Sequence, residues 1–195
     1  MAALALIVGL GNPGAEYEAT RHNAGFWFVD VLADRAGVAF RKEARFNAAL
    51  ARGRIGEHDV RLLKPLTYMN DSGRAVASAM KYFDIGVDEL LVAHDELDLP
   101  PGVARLKTGG GAGGHNGLRD IIAVLGTQQY QRLRLGIGRP PGGGDVTNYV
   151  LGRPSRTDRD LIDAAIGRSA DLAYLVAAGS TQQAMNELHR DGAAG

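Results

Sequence analysis

The chain has 195 residues, no cysteine and a formal net charge of zero, 22 basic side chains balancing 22 acidic ones. The missing thiol excludes disulfides, thiolate nucleophiles and thiolate metal sites, and fits a reducing cytoplasm. One domain spanning residues 1–195 is expected, long enough to bury roughly 70% of its unfolded surface; no basic leader or apolar run of ~18 residues interrupts it, so a soluble, cytoplasmic protein is expected.

In chain order, Leu4–Val8 is an apolar run that reads as a strand buried on both faces. It ends in Gly9-Leu10-Gly11-Asn12-Pro13-Gly14, followed by a polar stretch carrying Tyr17, Arg21, His22 and Asn23. The carboxyl end of such a strand is where open α/β sheets bind ligands. Asn23 is placed to cap a helix with Phe26, Val29, Leu32 and Ala33 inward, closing at Gly37. Residues 47–55 and 60–64 read as an antiparallel pair joined by Gly56-Glu57-His58-Asp59. A loop, Pro65–Asn70, leads to a helix capped by Asp71 or Ser72, with Val76, Met80 and Phe83 inward.

Residues 89–93 read as a buried strand ending at His94-Asp95, and 102–107 as a further strand. The glycine tract 109–117 opens a short helix over 118–125, and 132–137 alternates basic and apolar residues as a half-exposed strand does. Pro140–Gly144 is the clearest mobile loop and a candidate lid. Thr157 with Asp160 resembles a capping box for a helix over 161–178, and Ser180 opens a last helix that frays over 191–195. Hairpins and mixed strand lengths predict an α/β fold: one domain with a mixed, parallel and antiparallel, central sheet flanked by helices.

Charge is unevenly spread. Residues 101–156 hold eight basic side chains against two acidic ones, whereas 81–100 hold six acidic ones against Lys81. Such asymmetry can form a footprint for a polyanion, and it can equally be a solvated face.

Gly9–Gly14 satisfies G-x-G-x-x-G literally, with Asp30 or Asp34 about 20 residues on. In the dinucleotide motif, however, the glycines open the helix that holds the pyrophosphate, and here Pro13 and a polar stretch intervene before Asn23. The second glycine tract lacks the Gly-Lys-Ser/Thr of a P-loop. No serine stands in a Gly-x-Ser-x-Gly elbow, which leaves an activated water as the route to hydrolysis. A base near pH 7 is most often histidine. His58 falls in the expected turn and His189 in the frayed end, whereas His22, His94 and His115 all fall at one edge of the sheet. Asp95 is placed to hold and orient an imidazole. The same histidines with Asp95 and Asp98 could ligate a metal, although none shows a ligand spacing such as His-x-x-x-His. Asn12, Asn70 and Asn116 come from three segments, and amides suit neutral carbonyls, hydroxyls or a developing oxyanion.

Taken together, Gly9–Gly14 with Tyr17 and Arg21-His22-Asn23, Lys64–Asn70 with Ser72-Gly73, His94–Asp98, His115–Leu118 and Arg134–Gly138 resemble the bacterial peptidyl-tRNA hydrolase family, in order over residues 4–155. The resemblance implies a monomeric esterase, needing no metal or cofactor and no obligate protein partner, that cuts peptide from the 3′ ribose of tRNA and so rescues peptidyl-tRNA in translation. It implies His22 as base and Asp95 as the carboxylate that keeps it competent. Asn12 matches the amide that helps tell N-blocked from free aminoacyl-tRNA. Tyr17, Tyr68, Met69, Asn70 and Asn116 match the segments that contact the acylated 3′ end, and Arg105, Lys107 and Arg134 match basic positions facing the tRNA acceptor stem. Three further readings stay open: a tRNA-binding module without catalysis, indifferent to His22; a relative acting in RNA splicing that binds structured RNA, against which the intact histidine and asparagine set argues; and a metal-dependent hydrolase, sensitive to a chelator.

Overall fold

A computed structural model describes residues 1–191. Seven strands form one sheet: β1 (Leu6–Gly9), β2 (Arg41–Glu43), β3 (Ala48–Ile55), β4 (His58–Pro65), β5 (Leu90–Glu96), β6 (Ala104–Thr108) and β7 (Gln131–Gly136), in the order β2-β3-β4-β1-β5-β7-β6. β1 lies parallel to β4 and β5, and β5 parallel to β7, while β2–β3, β3–β4 and β6–β7 are antiparallel. The expected mixed sheet is therefore present.

Helices α1 (Ala24–Ala36), α5 (Arg156–Asp171), α6 (Ala173–Ala177) and α7 (Thr181–Asp191) cover one face, where Phe28, Ile162, Val176 and Leu188 meet Ile7 and Leu91. Helices α2 (Ser72–Phe83) and α3 (Asn116–Leu125) cover the other, packing Val76, Met80 and Ile121 on Leu6, Val8 and Val92. A short α4 (Val146–Val150) stands at the sheet's upper edge. Both faces of β1 and β5 are thus buried, as expected for parallel strands beneath helices.

The glycines around β1 have a packing role. A Cβ on Gly9 would collide with the Gly25 carbonyl, and one on Gly25 with the Ala93 carbonyl and the Leu10 amide. The first turn of α1 therefore rests directly on the ends of β1 and β5, which fixes the turn Arg21–Asn23 just ahead of it. This is the physical meaning of the apparent dinucleotide motif: its glycines allow close approach to protein, not to a pyrophosphate.

Several local expectations are corrected. Asn23 precedes α1 but makes no side-chain cap bond; its Oδ1 accepts from the Asn12 amide at 2.9 Å and its Nδ2 donates to the Asn12 carbonyl at 3.0 Å. The β3–β4 turn is shorter than expected, so His58 lies in β4 opposite Ile55. β2 carries only charged side chains and gave no apolar signal. β7 is largely buried, and Arg132, 3% exposed, donates to the carbonyls of Gly110, Gly111 and Gln128, pinning the glycine tract. Ser155, not Thr157, caps α5 by accepting from the Asp158 amide, and Leu172 separates α5 from α6. His189 is half-buried, its Nε2 accepting from the Leu106 amide of edge strand β6. The fraying expected over 191–195 falls, beyond Asp191, outside the described residues.

Candidate active site

The carboxyl ends of β1 and β5, the turn Arg21–Asn23, the loop before α2, the start of α3 and one side of α4 enclose a cleft of about 520 Å³. Asn12, Tyr17, His22, Tyr68, Met69 and Asn70 line it, and so do Asp95 and Asn116. Eight residues singled out in the sequence are thereby brought together from four segments. Arg105, Lys107 and Arg134 are not part of its lining. They stand on the β6–β7 pair, Arg105 directly opposite Arg134 and Lys107 opposite Arg132, so all four side chains share one face.

Asp95 is the centre of the polar network. It is 3% exposed, and its carboxylate accepts from His22 Nδ1 at 2.9 and 3.0 Å and from His115 Nε2 at 2.8 Å. The tautomer of His115 follows from its other nitrogen, since Nδ1 accepts from the amides of Gly117 and Leu118 and caps α3. Nε2 must therefore carry the proton that Asp95 receives. His22 likewise directs Nδ1–H to the carboxylate, and nothing among the described residues bonds its Nε2. Burial alone would raise the Asp95 pKa, but the two imidazoles outweigh it and hold the carboxyl well below its ordinary range. Burial pulls His22 down, while the charge and hydrogen bond of Asp95 push it up, with a net rise above 6.5.

Asn12 is fixed on all sides but one. Asn23 locks its backbone, and its Oδ1 accepts from the Met69 amide at 2.7 Å. That bond aims the remaining amide donors of a residue that lines the cleft. Met69 is buried with its sulfur near Gly117, whereas Tyr68 is 62% exposed and Asn70 and Asn116 are exposed at the rim.

His94, grouped with His22 and His115 in the sequence, does not line the cleft. It is 2% exposed, donates from Nδ1 to the Asp95 carbonyl at 2.8 Å and packs edge-on to His115. Burial, with the neighbouring His115, lowers its pKa to about 3. Two features escaped the sequence reading. His115 was expected at the site edge and as a possible metal ligand, but not as the cap of α3 that also bonds Asp95. The apolar wall from Val146, Val150 and Leu151 lies just past the expected Pro140–Gly144 loop, in a stretch to which no element was assigned, although Asp145 caps α4 through the amides of Thr147 and Asn148. The ligand atoms of His22, Asp95 and His115 lie within 4.8 Å of one another, the one grouping among the described residues able to hold a metal.

Comparison with known proteins agrees along nearly the whole chain. Residues 6–194 match the family model described as Peptidyl-tRNA hydrolase. The chain is similar to the peptidyl-tRNA hydrolase of Cupriavidus pinatubonensis, 56% identical over 192 residues that cover 94% of this chain and 96% of the relative. The protein of the same name from Cupriavidus necator is also 56% identical, over 94% of this chain and 97% of its own. A crystal structure of peptidyl-tRNA hydrolase from Acinetobacter baumannii superposes with a TM-score of 0.93 at 49% identity, covering 96% of this chain and 95% of that one. With its motifs, its sheet and its relatives in agreement, the chain belongs to the peptidyl-tRNA hydrolase family.

Proposed function

We propose that this chain hydrolyses the ester between a peptide and the 3′ ribose of tRNA, using water activated by His22. The observation that carries the reading is a single buried carboxylate, Asp95, which holds His22 by Nδ1 and leaves Nε2 to a cleft rimmed by Asn12, Asn70 and Asn116. His22 Nε2 takes a proton from water, and the water oxygen bonds to the ester carbonyl carbon. The carbonyl electrons move onto oxygen, which Asn12 Nδ2 or a backbone amide stabilises; a donor in that role is typically worth about 3–4 kcal/mol. Collapse breaks the bond to the ribose oxygen, which recovers the proton from His22. A positioned base contributes roughly 10²–10⁴-fold to such a reaction.

Tyr17, Tyr68, Met69, Asn70 and Asn116 contact the acylated 3′ end in this reading, and Arg105, Lys107 and Arg134 hold acceptor-stem phosphates. Phosphate contacts carry no sequence information, which suits an enzyme serving many tRNAs. The protein acts in the cytoplasm as a monomer, without cofactor or obligate protein partner. No helix among the described residues is long and apolar enough to cross a membrane.

A metal centre at His22, Asp95 and His115 is the competing reading. Hydrogen bonds already account for that grouping, because two imidazole protons point at one carboxylate and backbone amides occupy the second nitrogen of His115. The test is release of N-acetyl-aminoacyl groups from tRNA with EDTA present throughout and free aminoacyl-tRNA as control. Cleavage of the blocked ester alone is expected. Activity restored only by divalent ions would establish the metal enzyme, and none under either condition would leave an RNA-binding module.

A further inference from the structure

A second cavity, of about 880 Å³, meets the catalytic cleft at Asn12, the one residue among those described that lines both. It lies between the first half of α1 and the β2-β3-β4 end of the sheet, behind the lip Pro13-Gly14. Its size is that of a site for a substantial ligand. Phe26, Trp27 and Phe40 supply apolar walls, and the amides of Asn12, Asn23 and Asn47 border it. Its charges cancel: Glu18, Asp30 and Glu43 stand against Lys42, Lys64 and Arg159. Several of these are already engaged, for Lys64 bonds Asp30 at 2.7 Å and lies over Phe40, and Arg159 stacks 3.5 Å from the Trp27 ring. An electrically neutral groove walled by aromatics and edged by amides repels polyphosphate no more than it attracts it, but suits a polypeptide of any sequence.

The sheet order says which polypeptide. Arg105, Lys107 and Arg134 stand on β6–β7, at one end of β2-β3-β4-β1-β5-β7-β6, and the second cavity stands at the other. His22 and Asp95 belong to the middle, at β1 and β5. A peptidyl-tRNA ester cleaved in the middle with its tRNA on the β6–β7 side must send its peptide away from that side. We propose that the groove beside Asn12 receives the peptide segment upstream of the esterified residue, so that Asn12 marks the boundary between the scissile ester and the rest of the chain. The inference rests on the esterase reading above.

The test compares N-acetyl-aminoacyl-tRNA, which carries no residue upstream of the esterified one, with pentapeptidyl-tRNA of the same tRNA. On the unaltered protein KM should fall as the peptide lengthens from one residue to five. Ala44→Trp places an indole from the exposed turn after β2 into the groove. It should raise KM for the pentapeptidyl substrate about tenfold, the scale of leaving one apolar side chain unburied, and leave the N-acetyl substrate unchanged. Phe40→Ala should act in the same direction by removing a wall, and near-UV circular dichroism checks that either variant is folded. KM independent of peptide length, or equal effects of the folded variants on both substrates, would overturn the groove while leaving the esterase intact. Failure of the unaltered protein to cleave either ester would instead overturn the esterase reading, and the groove with it.

Discussion

His22 and Asp95 are separated by 73 positions in sequence yet share two contacts at 3.0 Å or less, and the pH response of the enzyme should follow from that pair. A base must be neutral to take a proton, and Asp95 holds the His22 pKa above 6.5. Turnover should therefore climb with pH through the raised value and level off above it. Stability has the opposite sign: the raised His22 pKa contributes stability that is fully present below about 6.5 and is lost as pH rises through the folded value. Asp95→Asn should move the rising limb to lower pH, because the carboxylate's charge is gone. The plateau should fall about 10²-fold or more, since the amide can donate to Nδ1 and select the wrong tautomer. A pH profile of kcat/KM on both proteins checks this, and an unshifted limb would remove Asp95 from the account.

Among the elements, the contact between α1 and the ends of β1 and β5 decides where His22 sits. Gly25 lies two residues after Asn23, with carbonyl oxygens where a side chain would be. Gly25→Ala should cost about 1–3 kcal/mol by overpacking and lower kcat with it, because the turn holding His22 must lift. Thermal denaturation and single-turnover rates on the same sample measure the two effects, and native values of both would show that the approach can relax. Most elements were legible because periodicity reports burial: α1 with its stop at Gly37, the β3–β4 pair and the core strands β1 and β5. What escaped was structure without an apolar signature. β2 is Arg-Lys-Glu, recruited by pairing with β3, and α4 turns on one Asp145 cap with its apolar side facing a cleft. Asn23 has the residue type of a cap, and its bonds to Asn12 depend on a partner eleven positions away that local propensity cannot see. Within the cleft, the motifs pointed to His22, Asp95 and the asparagines, but the bond from His115 to Asp95 joins separate segments and exists only in three dimensions.

At the scale of the molecule, a chain of zero net charge presents its cations unevenly, and position decides which of them can meet RNA. Arg132 belongs to the basic segment yet is buried against three carbonyls, so counting charges along the sequence overstated the footprint. Lys107 is exposed on β6–β7, whereas half-buried Arg105 donates to the Ala104 carbonyl and half-buried Arg134 stands 3.9 Å from Glu96. Binding to tRNA should weaken linearly in log–log terms as salt rises, and Lys107→Ala should reduce that slope by about one, the share of a single neutralised phosphate. An unchanged slope would place the phosphates elsewhere. The central claim, that His22 is the base of a tRNA esterase, is tested most directly by His22→Ala. Release of N-acetyl-aminoacyl from tRNA should fall at least about 10²-fold, with tRNA affinity and circular dichroism unchanged. Near-normal turnover in that variant would contradict the account.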